Sequence, residues 1–209
     1  MILYLDTSTN LFVTGIVENG KLITSINETL GNLMSEVAMD KLTGMFENKN
    51  ILPSDIKKII VVNGPGSFTG IRVGITIAKT YAWALKIPII EISGLEAMMT
   101  STECDDGDLP IVPVIDARRD YVYAAIYTPD KRELLSPRHI AIKKLKEHYF
   151  DQVQLTIVTN DDINIAEKKR NYVPNILKIV ESFEDREASD PHMVNPNYLK
   201  LTEAEESRQ

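Results

Sequence analysis

Short apolar runs separated by polar turns dominate the first third of the chain. Ile2 to Asp6 reads as a buried strand ending in the polar turn Thr7-Ser8-Thr9-Asn10. Leu11 to Val17 reads as a second strand, and Glu18-Asn19-Gly20 is a hairpin turn signal. Lys21 to Glu28 sets Leu22, Ile23 and Ile26 among polar residues and continues as a third strand. The pattern then changes period. From Ser35 to about Asn48, Ala38, Leu42, Met45 and Phe46 recur at helical spacing. Pro53-Ser54-Asp55 starts a short helical turn, and the β-branched run Ile59 to Asn63 suits a buried parallel strand.

That strand enters the loop Gly64-Pro65-Gly66-Ser67-Phe68-Thr69-Gly70, followed by a helix from about Ile71 to Leu85. The helix is apolar around most of its circumference, as a helix covered on more than one side would be. Ile89 to Ile92 is another strand, and Ser93 with Glu96 forms a capping box for a helix through Met99. The acidic stretch 103–110 reads as an exposed linker, dividing the chain into subdomains 1–102 and 103–209. In the second, Ile111 to Ile115 and Tyr121 to Tyr127 are strands around the charged turn Asp116-Ala117-Arg118-Arg119-Asp120, and Arg132 to Leu135 returns. Helices are expected at 142–150, 162–170 and 175–183, with Val153 to Val158 a strand between them. From Glu184 the chain is polar and acidic, and only Tyr198 and Leu199 are expected to pack.

Charge narrows the function classes. The 209 residues hold 23 Lys and Arg against 30 Asp and Glu, a net charge of -7. Nucleic-acid affinity rests largely on Lys and Arg, so such a chain is a poor candidate for gripping a phosphate backbone alone. Cys104 is the one cysteine, which excludes an internal disulfide, and its neighbours Glu103, Asp105 and Asp106 disfavour a thiolate. The start, MILYLDTST, lacks the basic segment of a signal peptide, and no apolar run reaches spanning length, so a cytoplasmic protein is expected.

Two places hold candidate chemistry. Glycines between a strand and a helix let backbone amides approach an anion, with the helix dipole favouring it. This loop lacks the Lys of a phosphate-binding Walker loop and has Thr69 where a dinucleotide fingerprint needs Gly. The same glycines would equally serve tight helix–sheet packing. Asp6 ends the first strand beside Thr7 and Ser8, a placement that suits Mg²⁺ or phosphate, or simply caps the turn. His139, His148 and His192 form no metal-binding pair, and Ser67 is outside a nucleophile elbow. The Asp116–Arg118–Arg119 turn could meet a partner or be a solvated hairpin.

LDTST at 5–9, GPGSFTGIRVG at 64–74, AK at 78–79, ISGLEAM at 92–98, DARRDYVYAAIY at 116–127 and PNYLK at 196–200 together resemble the bacterial TsaB (YeaZ) family. The resemblance implies an actin-like ATPase (ribonuclease H-like) α/β fold, with two similar subdomains each starting in a hairpin. It implies a role in forming N6-threonylcarbamoyladenosine beside the anticodon of tRNAs that read codons beginning with adenine. The family's members are non-catalytic partners of the transferase TsaD, with the ATPase TsaE joining the assembly. On this reading the chain binds no cofactor by itself, ATP and metal being used by partner subunits, and meets tRNA only through the complex. Asp6, Thr7, Ser8, Gly64, Gly66, Ser67, Thr69 and Gly70 would then be a vestigial nucleotide or anion site.

Family members pair through the first subdomain's helices, which makes Ala38, Leu42, Met45, Phe46, Arg72, Ile75 and Lys79 the expected interface with TsaD, or with a second copy in a homodimer. The other reading is that both helices are buried within the subdomain. One departure is Met34-Ser35, where the family commonly has His-Ser, which favours packing over a ligand role there. The competing functions are an independent ATP-hydrolysing or kinase-like enzyme built on Asp6 and the Gly-rich loop, and a glycoprotease-type peptidase.

Overall fold

The computed structural model describes residues 1–103, 109–150, 154–165 and 169–200. Most of the linker expected at 103–110, with Cys104, lies outside the described residues.

The opening strands are β1 (Ile2–Asp6), β2 (Leu11–Glu18) and β3 (Lys21–Thr29), followed by helix α1 (Met34–Asn48) and strand β4 (Lys58–Val62). Helix α2 (Phe68–Leu85), strand β5 (Ile89–Ile92) and helix α3 (Gly94–Ser101) complete the first half. The sheet order is β3-β2-β1-β4-β5, antiparallel across β1–β2–β3 and parallel across β1–β4–β5. Residues of β1 alternate between the sheet's two faces, as the strand period requires. Leu3 and Leu5 pack under α1 and α2, while Tyr4 faces the opposite layer.

The second half repeats this plan. Strands β6 (Ile111–Asp116), β7 (Tyr121–Tyr127) and β8 (Glu133–Ala141) are followed by α4 (Ile142–Leu145), β9 (Thr156–Val158), β10 (Lys169–Arg170) and α5 (Ile176–Phe183). Their order is β10-β9-β6-β7-β8, antiparallel across β6–β7–β8 and parallel across β6–β9–β10. Read from β8 inward, this is the first sheet's order and direction again. Two such sheets, with helices on their faces, form the actin-like arrangement that the resemblance implies. Helix α3 lies between them: Ala97 packs with the first sheet, and Leu95, Met98 and Met99 pack with the second. Its entry is the expected capping box, with Ser93 Oγ accepting from Leu95 N at 3.2 Å and Ser93 N donating to Glu96 Oε2 at 2.8 Å.

The structure corrects three expectations. Residues 162–165 are not helical and 169–170 form β10, because Ile163 and Ile165 pack singly into the second core and not as a helical stripe. Helix α5 belongs to the first sheet: Ile176, Ile179, Val180 and Phe183 pack against Tyr4, Val13 and Val17. The segment 184–200, expected to be largely unpacked, runs back over the first half as a strap. Ser189 N donates to Ile89 O at 2.8 Å and Asn197 N to Asn63 O at 2.8 Å, while Lys58 Nζ donates to the Glu184 carbonyl. Val194 is fully buried in the core beneath α2, and Lys79 Nζ holds the Val194 carbonyl at 3.0 Å. Main-chain hydrogen bonds and the buried Val194 hold the strap together with side-chain contacts, Arg186 Nη2 to Glu96 Oε1 at 2.8 Å and Ser189 Oγ donating to Glu91 Oε2 at 2.8 Å.

Candidate functional site

The β1–β2 turn and the Gly-rich loop fold onto each other. Asp6 is buried, and its Oδ1 accepts from Ser8 N at 2.8 Å and from Ser8 Oγ at 2.7 Å. Thr7 Oγ1 donates to the Gly70 carbonyl at 2.7 Å, and Ser67 N donates to the Ser8 carbonyl at 2.6 Å. A Cβ on Gly66, whose φ is +150°, would overlap the Ser8 carbonyl, and one on Gly70 would overlap the Thr7 carbonyl. These two glycines therefore permit backbone-to-backbone contact between the loops. Ser67 Oγ caps α2 by accepting from Gly70 N at 3.2 Å, and the Gly64 carbonyl accepts from Gly94 N at 2.9 Å. Thr69 lies apart, on the outer surface of α2. Of the eight expected anion-site residues, Asp6, Thr7, Ser8, Gly66, Ser67 and Gly70 meet here and contact one another, while the Gly64 carbonyl turns to Gly94.

Electrostatics agree with that closure. Burial pushes the Asp6 carboxyl above its ordinary range, and the two Ser8 hydrogen bonds offset only part of this. Burial also raises the hydroxyls of Tyr4 and of Tyr172, with the Asp6 charge adding to both. Tyr172 comes from the second half, its backbone held by the Asn160 side chain at 2.8 and 2.9 Å. The sequence gives no hint of this meeting, which joins residues 4, 6 and 172.

Beyond the turn, a cleft of about 420 Å³ separates the halves, lined by Asn10, Asn32, Ser67, Asp116, Arg118 and Asp161 among others. Asp116 N donates to Asp161 Oδ2 at 2.7 Å, and Asp116 Oδ1 accepts from Arg118 N at 2.8 Å, so the cleft's two carboxylates serve its own wall. Among the described residues there is no cluster of three or more His, Cys, Asp or Glu able to hold a metal, and no helix long and apolar enough to cross a membrane.

The expected interface on α1 and α2 needs correction. Ala38, Leu42, Met45, Phe46 and Ile75 are each 4% exposed or less and point into the core against the first sheet. Helical spacing identified the buried stripe. Outward residues of the same helices include Met39 at 43% exposure, Phe68 at 54% and Trp83 at 66%, with Arg72 exposed and Lys79 half-buried. Two grooves flank the outer ridge of α2. One, of about 460 Å³, lies between α1 and α2 and includes Met39, Phe68, Val73 and Ile77. The other, of about 630 Å³, lies between α2 and the strap and includes Arg72, Lys79, Pro196 and Tyr198. At their junction Arg72 sits 3.8 Å from the Phe68 ring centroid and donates from Nε to the Tyr198 hydroxyl at 2.8 Å. Phe68 and Tyr198 stack at 5.0 Å. Sequence reasoning found Arg72 and missed Phe68 and Tyr198; an aromatic residue in the first turn of α2 was the available signal.

The family model described as TsaD, tRNA N6-adenosine threonylcarbamoyltransferase, matches residues 31–205. The tRNA threonylcarbamoyladenosine biosynthesis protein TsaB of Bacillus subtilis (strain 168) is 31% identical over 227 residues, covering 98% of this chain and 96% of that protein. The Escherichia coli (strain K12) protein of the same description is 38% identical over 78 residues, covering 37% of this chain and 34% of that protein. Among solved structures, YeaZ from Pseudomonas aeruginosa has a TM-score of 0.78 at 20% identity, covering 95% of this chain and 99% of that chain. A second structure from that organism, described as an uncharacterized protein with similarity to peptidase YEAZ, has the same TM-score at 19% identity. These structural likenesses establish the fold.

Proposed function

Because the chain belongs to the TsaB (YeaZ) family, within the wider TsaD family of tRNA N6-adenosine threonylcarbamoyltransferases, we propose that it serves tRNA threonylcarbamoyladenosine formation as a docking subunit without chemistry of its own. Its partner is the TsaD transferase, and TsaE joins the pair. The observation that carries this reading is the outer face of α1 and α2, where half-exposed Met39 and Phe68 border one groove, Tyr198 borders a second, and Arg72 lines both. Paired apolar grooves along a helix ridge suit the helices of another subunit, which pack ridge into groove. Aromatic and Arg side chains clustered at the centre of such a face are the usual anchors of protein–protein association. Alone, the same face pairs with a second copy.

A catalytic reading on this fold would use Asp6 and the Gly-rich loop. The inward hydrogen bonds of Asp6, its raised affinity for a proton and the loop-to-loop contact at Gly66 favour the docking role instead. The cleft binds no cofactor in this account, and ATP and metal are used by the partner subunits. The test is to mix the purified chain with TsaD and TsaE and record mass by light scattering alongside ATP turnover. A mixed complex that forms through TsaD, with no turnover by the chain alone, is expected. ATP hydrolysis by the chain alone that Asp6→Asn abolishes would overturn the docking role in favour of an ATPase. Chelator-sensitive cleavage of a protein partner would do so in favour of a peptidase.

A further inference from the structure

The function proposed above leaves one conspicuous motif unused, the DARRDYVY segment at 116–123. Its turn places three successive non-glycine residues in the left-handed region, Arg118 at φ 68°, Arg119 at 52° and Asp120 at 62°. This costly backbone persists because its surroundings fix it. Ala117 N donates to Tyr121 O at 3.0 Å, Tyr121 N to Arg118 O at 3.1 Å, and Ile142 N to Asp120 O at 2.9 Å. The result holds both arginines outward, the Arg118 side chain at 88% exposure.

The Ile142–Asp120 bond also brings the start of α4 to this turn, and with it the exposed Lys143 and Lys144. Next to them, on β7 and β8, Tyr121 stacks on His139 at 4.6 Å with 13° between ring planes, and Tyr123 meets the same imidazole at 5.5 Å with its ring tilted by 47°. Tyr121 is 42% exposed. Tyr123 and Arg118 both line the cleft between the halves, so the aromatic row leads outward from its mouth. Residues 116–147 carry eight Lys and Arg against five Asp and Glu, in a chain whose net charge is -7. Of the carboxylates at this end, Asp116 accepts from Arg118 N at 2.8 Å and lies 3.7 Å from Arg118 Nε, an exposed pair that a phosphate can displace. Glu147 is near Lys143 at 3.8 Å, which leaves Asp120 facing outward.

We propose that this end of the second half is an RNA-contacting surface that takes an unstacked, single-stranded nucleotide of the tRNA. A base stacks against the Tyr121–His139 pair, and the flanking phosphates lie on Arg118, Arg119 and Lys143. Cations set beside stacked rings are the recurrent chemistry of single-strand binding, since every base offers a π-face and every linkage a charge. The proposal rests on the tRNA-modification reading, and it gives this chain a direct contact within the complex through which tRNA is expected to be met.

The test titrates a labelled, unmodified tRNA that reads codons beginning with adenine against the full chain in complex with TsaD, at several salt concentrations. Arg118→Ala with Arg119→Ala is expected to flatten the salt dependence by about two phosphate contacts. Tyr121→Ala is expected to weaken binding about fivefold or more, and Tyr121→Phe to bind as wild type. Binding to TsaD, measured on the same preparations, stays unchanged. Wild-type affinity and salt slope in both the Arg pair and Tyr121→Ala variants would overturn the proposal, as would tRNA binding by TsaD that the chain does not alter. Loss of TsaD binding in these variants would overturn it too, marking the surface as a protein contact. Because the readout is RNA binding and not product, these failures are separate from a failure of the pathway assignment.

Discussion

Replacing Phe68 with alanine separates the proposed docking face from the core beneath it. The ring is 54% exposed in the isolated chain. An aromatic side chain buries about 200 Å² when fully covered, so docking removes roughly another 100 Å² from water. At about 25 cal/mol per Å² that burial contributes about 2.5 kcal/mol, or roughly a 70-fold change in Kd. Within the folded chain the ring stacks with Tyr198 and lies under the Arg72 guanidinium. Exposed contacts of that kind contribute about 1 kcal/mol, so unfolding should shift little. Leu42→Ala provides the contrast. Leu42 is fully buried, and its truncation should cost about 2–5 kcal/mol of stability. Isothermal titration against TsaD gives the affinities, and urea denaturation gives the stabilities. The reasoning is refuted if folded Phe68→Ala binds TsaD within threefold of wild type, or if its stability falls as far as that of Leu42→Ala.

The other predictions concern the loops and the strap. Gly70→Ala forces a Cβ onto the Thr7 carbonyl and should destabilise by about 1–3 kcal/mol, read as a lowered thermal midpoint. Asp6→Asn keeps an oxygen for both Ser8 donors while removing a buried charge. Since burial raises the Asp6 pKa, wild-type stability from this group is present below the unfolded carboxylate range and is lost as pH rises through the folded pKa. The Asn variant should therefore gain on wild type as pH increases from acid to neutral, and urea melts across that range check the sign. Val194→Ala should cost about 1–3 kcal/mol and speed proteolysis within 184–200, because that side chain fastens the strap to the core.

The sequence made some of this legible and concealed the rest for identifiable reasons. The opening hairpins, the Ser93–Glu96 cap and the strand–loop–helix at 59–85 depend on local periodicity and turn chemistry, and they are present as read. Helical spacing also located the stripe Ala38–Leu42–Met45, but periodicity cannot say whether a stripe faces a core or a partner. Here it faces the core, and the proposed docking face is the weaker remainder around Met39 and Phe68. The strap escaped notice because its main-chain bonds can come from any sequence and its side-chain partners, Glu91, Glu96 and Arg72, are about a hundred residues away along the chain. The approach of Tyr172 to Tyr4 and Asp6 depends on how the two halves close on each other, and no local pattern encodes it.

The central claim is that this chain is needed for the modification through its contact with TsaD. A drop-out reconstitution addresses it directly, combining the threonylcarbamoyl-adenylate synthase, TsaD, TsaE, tRNA, threonine, bicarbonate and ATP with and without this chain. Nucleoside mass spectrometry then counts N6-threonylcarbamoyladenosine. Product that forms with the wild-type chain, is lost without it and is sharply reduced by Phe68→Ala is the predicted result. An equal yield with and without the chain would contradict it.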